Sequence, residues 1–166
     1  MVNVREVDYR DGQDARALVD LLNQYAQDPF GGNAALPDQV QAELCGRLAE
    51  FPGACSFLAE IDETPVGLIN TFTGFSTFYA RPLINIHDVY ISAEARGKGV
   101  LEALFAQVEA RARALGCCKI TLEVLRTNER AQRGYNRLGF SGYSLGDSAA
   151  EEQRDSDTLF WQKKLV

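Results

Sequence analysis

Two glycines placed between basic residues form the first segment of this chain with a chemical signature. Arg96-Gly97-Lys98-Gly99 follows a β-rich run and precedes an amphipathic one, where a strand passes into a helix. The first N–H groups of a helix lack intrahelical partners, and glycine lets the backbone approach an anion closely. The segment therefore predicts an anion site suited to a pyrophosphate, and a plain tight turn is the alternative that so short a pattern leaves open.

Two other phosphate-binding patterns are missing from the sequence. It contains no Gly-x-x-x-x-Gly-Lys-[Ser/Thr] segment, and Glu102 stands where the dinucleotide-binding fingerprint requires its third glycine. The glycine segment therefore matches neither a P-loop nor a dinucleotide-binding turn, and its ligand has to be sought in another class of nucleotide.

A second pair of residues lies further along the chain. Asn128 and Tyr135 are seven residues apart, about two helical turns, in a segment that ends at Leu138-Gly139-Phe140. They therefore project from one face of a helix, which Asn128 is suited to cap. A glycine loop, a helix, a strand and a capped helix that carries Asn and Tyr form a combination far rarer than either motif alone.

These motifs resemble the GCN5-related N-acetyltransferases (GNAT), which use acetyl-coenzyme A and whose pyrophosphate loop reads [Gln or Arg]-x-x-Gly-x-[Gly or Ala]. Arg96 and Gly99 match, whereas Leu101 replaces the small last residue. The resemblance is strongest from 84 to 140 and spans nearly the whole chain. It implies one acyl-CoA N-acyltransferase domain over residues 1–166, of α/β (α+β) class. We expect a mixed, mostly antiparallel sheet with a central parallel pair, helices on both faces, and the coenzyme between the parallel strands.

The resemblance also implies which residues meet the coenzyme. The backbone of Val89 and Ile91 would pair with the pantetheine arm, and Tyr135 would face the sulfur. The expected cofactor-binding residues are Val89, Tyr90, Ile91, Arg96, Gly97, Lys98, Gly99, Val100, Leu101, Glu102, Asn128, Ala131 and Tyr135. No metal is expected.

Acetyl transfer to an amine needs an acceptor for the amine proton, donors for the carbonyl oxygen, and a proton for the departing thiolate. Tyr135 is the expected proton donor, with a half-buried structural tyrosine as the alternative. His87, the only histidine, is the first candidate base because an imidazole can take up a proton near neutral pH, although a lone strand histidine is often structural. Strand alternation places Asp88 on the opposite face, so either side chain is open as the base. The N–H of Val89 is the expected oxyanion donor.

The acceptor is less well defined by the sequence. Phe75-Ser76-Thr77-Phe78 and Ile86-His87-Asp88-Val89-Tyr90-Ile91 look like the diamine and thialysine acetyltransferase branch, although His87 replaces an acidic residue of that branch. Asp28, the Phe30-Gly31-Gly32 loop and the segment from Phe75 to Tyr79 are candidates for the acceptor pocket, with solvated loops as the alternative. We leave Arg126 and Arg130 out of the site.

The composition of the chain limits the classes of partner that the sequence predicts. The chain has 166 residues, a formal net charge of −6, and four cysteines without metal-ligand spacing, which we interpret as reduced thiols. The acidic balance argues against nucleic acid and favours a small cationic or amino-acid-like primary amine as substrate. A noncatalytic acyl-CoA sensor and a protein N-acetyltransferase are the alternatives. We expect no membrane segment and a cytoplasmic location, and a homodimer is the candidate assembly.

The elements that must position these residues follow from periodicity. The pattern predicts strands that begin at Val2, run from Ser56 to Ile61, Val66 to Phe75, Leu83 to Ile91 and Lys119 to Leu125, and close with Ser141 to Ser144 and Thr158 to Leu165. Helices are predicted after Asp11 or Asp14, after Pro37, from Val100 to Leu115 and after Asn128. A loop is predicted from Gly74 to Arg81.

Overall fold

A computed structural model describes residues 1–142 and 157–166 of the chain. The strands are β1 (Val2–Glu6), β2 (Ala54–Ile61), β3 (Thr64–Ser76), β4 (Arg81–Ile91), β5 (Lys119–Leu125), β6 (Ser141–Gly142) and β7 (Thr158–Lys164). The helices are α1 (Gly12–Gln27), α2 (Asp38–Glu50), α3 (Val100–Ala114) and α4 (Glu129–Arg137), and a single 3₁₀ turn covers Ala93–Ala95.

The seven strands form one sheet in the order β1-β2-β3-β4-β5-β7-β6. Every neighbouring pair is antiparallel except β4 and β5, which are parallel at the centre. The parallel pair follows from the connection through α3, because two parallel strands need a crossover that returns the chain to the same end of the sheet.

Helices cover both faces of the sheet. One core contains the apolar stripe of α3, represented by Leu104 and Val108, against inward residues of β2 to β5. The other core joins Leu18 and Leu21 of α1 and Cys45 of α2 to Leu58 and Leu68 of the sheet. The predicted mixed sheet with helices on both faces is therefore confirmed.

Most of the predicted elements are observed, with three differences of detail. Asp11 rather than Asp14 caps α1, because Asp11 accepts from the backbone N–H groups of Gln13 and Asp14, whereas the Asp14 carboxylate pairs with Arg5. The predicted loop from Gly74 to Arg81 is wrong in extent, since strand pairing continues to Ser76 and Arg81. The predicted strand from Ser141 to Ser144 is seen only at Ser141–Gly142, and its remainder lies outside the described residues.

Candidate active site

The central parallel strands separate after a short contact. β4 and β5 are paired only from Ile84 with Ile120 to Ile86 with Leu122, yet β4 continues to Ile91 and β5 to Leu125. The space between the diverging ends is a cleft of about 760 Å³, which α3, α4 and the end of α1 also line. A central break of this kind leaves backbone groups of the sheet available to a ligand.

The register of β4 shows which backbone groups face the cleft. The N–H of Ser92 donates to the carbonyl of Val66 on the β3 side, at 2.9 Å. In an antiparallel pair, alternate residues bond to the partner strand while those between them point away. Val89 and Ile91 therefore direct their N–H and carbonyl groups away from β3 and towards the cleft, where we expected the pantetheine arm and the oxyanion donor.

The glycine loop closes one end of the cleft. Gly97 and Gly99 have φ angles of 76° and 81°, a conformation that side chains other than glycine rarely adopt. A Cβ at either position would meet nothing within 4 Å, so open space adjoins the loop backbone. Gly99 caps α3 without a side-chain hydrogen bond from the described residues, and the N–H groups of the first turn are left for an external acceptor.

The two basic residues of this loop differ in position. The Nε of Arg96 donates to the carbonyl of Ile91 at 3.1 Å, and its Nη2 lies 3.6 Å from Oδ2 of Asp28. Lys98 is exposed and does not line the cleft. The pyrophosphate prediction is therefore supported by the backbone of the loop, whereas the Arg96 guanidinium already has a carboxylate and a carbonyl as partners.

Helix α4 brings Asn128, Ala131 and Tyr135 to the opposite wall of the cleft. The Oδ1 of Asn128 accepts from the N–H of Ala131 at 3.2 Å, so Asn128 caps the helix as predicted. Tyr135 is 8% exposed and packs against Phe105, with ring centroids 5.4 Å apart. Burial, and then the nearby Tyr25, raise the pKa of Tyr135, so its phenol stays protonated at neutral pH and can act as a donor.

A β-bulge changes the expected geometry of the two candidate bases. Asn70 is opposite Asp88 and Thr71 is opposite Ile86, which leaves His87 as the extra residue. The His87 ring packs edge-on against Phe72 at 5.5 Å, while Asp88 accepts a hydrogen bond from Asn70. Asn70 and Phe72 share one face of β3, so the prediction that His87 and Asp88 lie on opposite faces is wrong. The inserted residue interrupts the regular alternation of side chains between the two faces of the strand.

The end of the cleft beside α1 is acidic and aromatic. Tyr25, Asp28 and Phe30 line it. Burial raises the pKa of Tyr25, and the charges of Asp88 and Asp28 raise it further. From the sequence alone, the helical spacing of Tyr25 with Leu18, Leu21 and Leu22 indicates only the apolar stripe of a helix, and its position just before Asp28 is the one sign of a second role.

The other half of the predicted acceptor pocket is not in the cleft. Phe75, Phe78 and Tyr79 are 64%, 91% and 46% exposed at the tip of the β3–β4 hairpin, and none of them lines the cleft. The cleft begins at Asn85, and Arg81, Pro82, Leu83 and Ile84 separate it from the tip. The prediction that this aromatic segment joins Asp28 in one pocket is therefore wrong.

The cleft gathers most of the predicted site. Of the expected cofactor-binding residues all but Lys98 line it, and of the expected catalytic residues Tyr135 and His87 line it while Asp88 lies beside it. Arg130, which we left out of the site, also lines the cleft, so that exclusion is wrong. Lining residues that the sequence did not single out include Tyr25, Asn85, Glu123, Arg133 and Arg137. The three arginines follow one another along α4 at helical spacing, and this spacing was the signal that could have found them.

Metal and membrane features can be assessed for the described residues. Within 1–142 and 157–166, no three His, Cys, Asp or Glu side chains are grouped as metal ligands would be. None of the helices in the same ranges is long and apolar enough to span a bilayer.

Comparison with known proteins agrees with the geometry. The family described as "Acetyltransferase (GNAT) family" matches residues 15–140, more than two thirds of the chain. The chain belongs to the GNAT acetyltransferases. Enzymes of this family use acetyl-CoA. No curated protein sequence matches the chain, and the diamine and thialysine branch stays a prediction.

Solved structures of GNAT proteins share the fold at low sequence identity. Ribosomal-protein-alanine N-acetyltransferase from Brucella melitensis biovar Abortus 2308 is 19% identical with a TM-score of 0.72, over 89% of this chain and 96% of that one. An aminoglycoside acetyltransferase from an uncultured soil metagenomic sample is 15% identical, TM-score 0.69, over 82% and 86%. The PaiA N-acetyltransferase from Thermoplasma acidophilum, in complex with coenzyme A, is 15% identical, TM-score 0.72, over 99% of each chain.

Proposed function

We propose that this acetyltransferase moves the acetyl group of acetyl-CoA to a primary amine of a small cationic or amino-acid-like molecule. The observation that carries the acceptor class is the acidic and aromatic lining beside α1, where Asp28 lies with Tyr25 and Phe30, and where Asp88 directly follows the lining residue His87. A narrow acidic and aromatic end attracts a small ammonium ion and offers it the faces of aromatic rings.

The residues of the cleft fit the coenzyme. We expect the open backbone of Gly97 and Gly99 and the first turn of α3 to hold its pyrophosphate, as the positive end of a helix dipole favours an anion. The cleft-facing backbone of Val89 and Ile91 is unpaired with β5. The Ile91 carbonyl accepts from Arg96, and we expect the other cleft-facing groups to meet the pantetheine amides. Arg130, Arg133 and Arg137 line the same cleft and are candidates for the remaining phosphate charge.

Acetyl-CoA supplies an acetyl thioester. The side chains of the cleft accept one proton and donate another. The amine nitrogen forms a bond to the carbonyl carbon as the carbon–sulfur bond breaks. We infer that His87, which lines the cleft, takes the proton lost by the amine, and that Tyr135 donates a proton to the departing thiolate. The N–H of Val89 is expected to donate to the carbonyl oxygen during the transfer.

A panel of amines separates the possible acceptors. Wild-type protein and acetyl-CoA are mixed with diamines, amino acids, an aminoglycoside and peptides with a free N-terminus, and release of the CoA thiol is followed. We expect turnover with small primary amines that carry a second positive charge. Turnover confined to peptides would replace the proposal by a protein N-acetyltransferase, an activity named for one protein of the same fold.

A noncatalytic acyl-CoA sensor is the alternative from a different class. It predicts tight coenzyme binding by calorimetry with no thiol release on any amine of the panel. Tyr135 lines the cleft with a protonated phenol, which favours catalysis, because a proton donor at the expected position of the sulfur serves acetyl transfer rather than binding alone. The homodimer and the cytoplasmic location stay predictions.

A further inference from the structure

A chain of polar side chains crosses the sheet on the face covered by α1 and α2. Ser56 on β2, Asn70 on β3 and Asp88 on β4 are direct cross-strand neighbours, and Tyr9 adjoins the first of them. The hydroxyls of Tyr9 and Ser56 are 2.8 Å apart, Ser56 Oγ lies 2.6 Å from Asn70 Oδ1, and Asn70 Nδ2 lies 2.9 Å from Asp88 Oδ2. Ser56 and Asn70 are only 1% and 4% exposed.

The donors in this chain can point in one direction only. A carboxylate accepts hydrogen bonds, so Asn70 must present its NH₂ group to Asp88 and its carbonyl oxygen to Ser56. The single hydroxyl hydrogen of Ser56 then points to Asn70, which makes Tyr9 the donor to Ser56. The arrangement therefore delivers one N–H donor to Asp88, and the carboxylate sets the orientation of the Asn70 amide while Ser56 donates to the amide oxygen.

The β-bulge at His87 is what completes the chain. It shifts β4 by one residue, so that Asp88 rather than His87 stands opposite Asn70. Without the inserted residue, Asp88 would face the α3 side of the sheet, away from Asn70 and Tyr25. Asp88 is half-buried beside the cleft, between two residues that line it, and its charge raises the pKa of the cleft residue Tyr25.

We propose that Asp88 anchors a positively charged ammonium group of the acceptor, and that Asn70, held by Ser56 and Tyr9, is the positioning residue that fixes this carboxylate. The inference deepens the proposed function and rests on it. One donor from Asn70 leaves acceptor capacity on the carboxylate, which has about four lone-pair sites. A fixed carboxylate binds an ammonium without first having to be ordered. Loss of the hydrogen bonds among Tyr9, Ser56 and Asn70 therefore weakens amine binding rather than acetyl transfer.

The kinetic test uses 1,4-diaminobutane as the probe amine and compares two buried hydroxyls. Ser56→Ala removes the hydrogen bond that holds the Asn70 carbonyl oxygen. Thr71→Val removes a bond of 2.7 Å to the carbonyl of Cys55, at a neighbouring position on the other face of β3. We expect Ser56→Ala to raise the KM for the amine about fivefold, with kcat and the KM for acetyl-CoA unchanged. Thr71→Val should leave all three constants unchanged, and Ser56→Thr should restore the amine KM.

A second variant separates shape from hydrogen bonding. Asn70→Asp keeps the size of the side chain and the acceptor for Ser56, but it removes the donor to Asp88. We expect a larger rise in the amine KM than with Ser56→Ala, and Tyr9→Phe should give the smallest rise. Equal effects of Ser56→Ala and Thr71→Val on the amine KM, or no effect of either, would overturn the proposal.

A binding measurement keeps the proposal testable apart from turnover. In protein saturated with CoA, 1,4-diaminobutane is expected to shift the side-chain amide resonances of Asn70, and Asp88→Asn should abolish that shift. Absence of the shift in the wild-type protein overturns the anchor even where amines are acetylated. A shift without any turnover supports the anchor and instead removes the proposed function.

Discussion

The guanidinium of Arg96 and the carboxylate of Asp28 lie 3.6 Å apart and join the glycine loop before α3 to the loop that follows α1. The first loop is the expected pyrophosphate site and the second borders the acidic end of the cleft. Arg96 is also bound to the carbonyl of Ile91, at 3.1 Å, on the strand between the two. One side chain thus connects the glycine loop to the loop that follows α1.

We expect this bridge to couple the binding of coenzyme and amine. CoA should lower the dissociation constant of the amine about fivefold in the wild type, and the ratio should fall to about one in Asp28→Asn. Calorimetry of the amine with and without CoA measures the ratio. Asp20→Asn, which removes an exposed charge from the same helix, is the control. Coupling that persists in Asp28→Asn would show that the bridge transmits nothing.

The replacement of a small residue by Leu101 is matched by a glycine on α4. A Cβ on Gly134 would lie 2.7 Å from Cδ2 of Leu101. Both residues line the cleft, so a side chain at position 134 would force the end of Leu101 to move. The two positions therefore have to be considered together, because the small residue that the family pattern places after the glycine loop is found here on the facing helix.

Gly134→Ala should consequently weaken CoA binding about tenfold while the free energy of unfolding changes by less than about 1 kcal/mol. The reason is that alanine gains about 1 kcal/mol over glycine within a helix, which offsets a similar cost of overpacking. The double variant Leu101→Ala with Gly134→Ala should recover most of the CoA affinity. Calorimetry and urea unfolding measure the two quantities, and failure of the second substitution to restore affinity would contradict this pairing.

The sequence allowed the fold and the coenzyme half of the site to be predicted, since both depend on local patterns. Three of these patterns involve only residues that are close in sequence: the apolar stripe of α3, the glycines at 97 and 99, and the helix cap at Asn128. The acceptor half depends on the approach of distant segments. Tyr25 reaches the cleft only because α1 packs over the diverging strands. No sequence pattern near Phe75 indicates that the tip of the β3–β4 hairpin lies away from the cleft.

The bulge at His87 shows the same limit at the scale of one residue. Which residue of β4 stands opposite Asn70 is decided by pairing across the sheet, and the sequence of β4 alone gives only the alternation. The faces of His87 and Asp88 therefore could not be assigned before the register was seen.

His87 is expected to accept the amine proton, because it lines the cleft whereas Asp88 lies beside it and is held by Asn70. His87→Gln should lower kcat by about 10²-fold at neutral pH and leave the KM for acetyl-CoA unchanged. Phe72→Leu removes the ring against which the imidazole packs and serves as a control for its placement. A kcat within twofold of wild type at every pH measured would transfer the role of base away from His87.

Alkaline unfolding should report on the buried end of the polar chain. Burial raises the pKa of Tyr9 from 10.0 to about 12. The folded state thus favours the protonated phenol, and the resulting stability is fully present below pH 10 and lost as the pH rises through about 12. Urea unfolding at intervals from pH 8 to pH 12 should show this loss in the wild type. The loss should be smaller in Tyr9→Phe, and an identical pH dependence of the two proteins would contradict the assignment.

Tyr135 decides between catalysis and binding alone. Its phenol is buried and protonated in the cleft, so Tyr135→Phe keeps the packing against Phe105 and removes only the hydroxyl. If that hydroxyl donates to the departing thiolate, kcat should fall by about 10²- to 10⁴-fold while the dissociation constant of CoA changes by less than about threefold. Thiol release and calorimetry on the same preparation measure the two quantities. Turnover within twofold of wild type would remove Tyr135 from the mechanism, because a ring that only packs loses nothing with its hydroxyl.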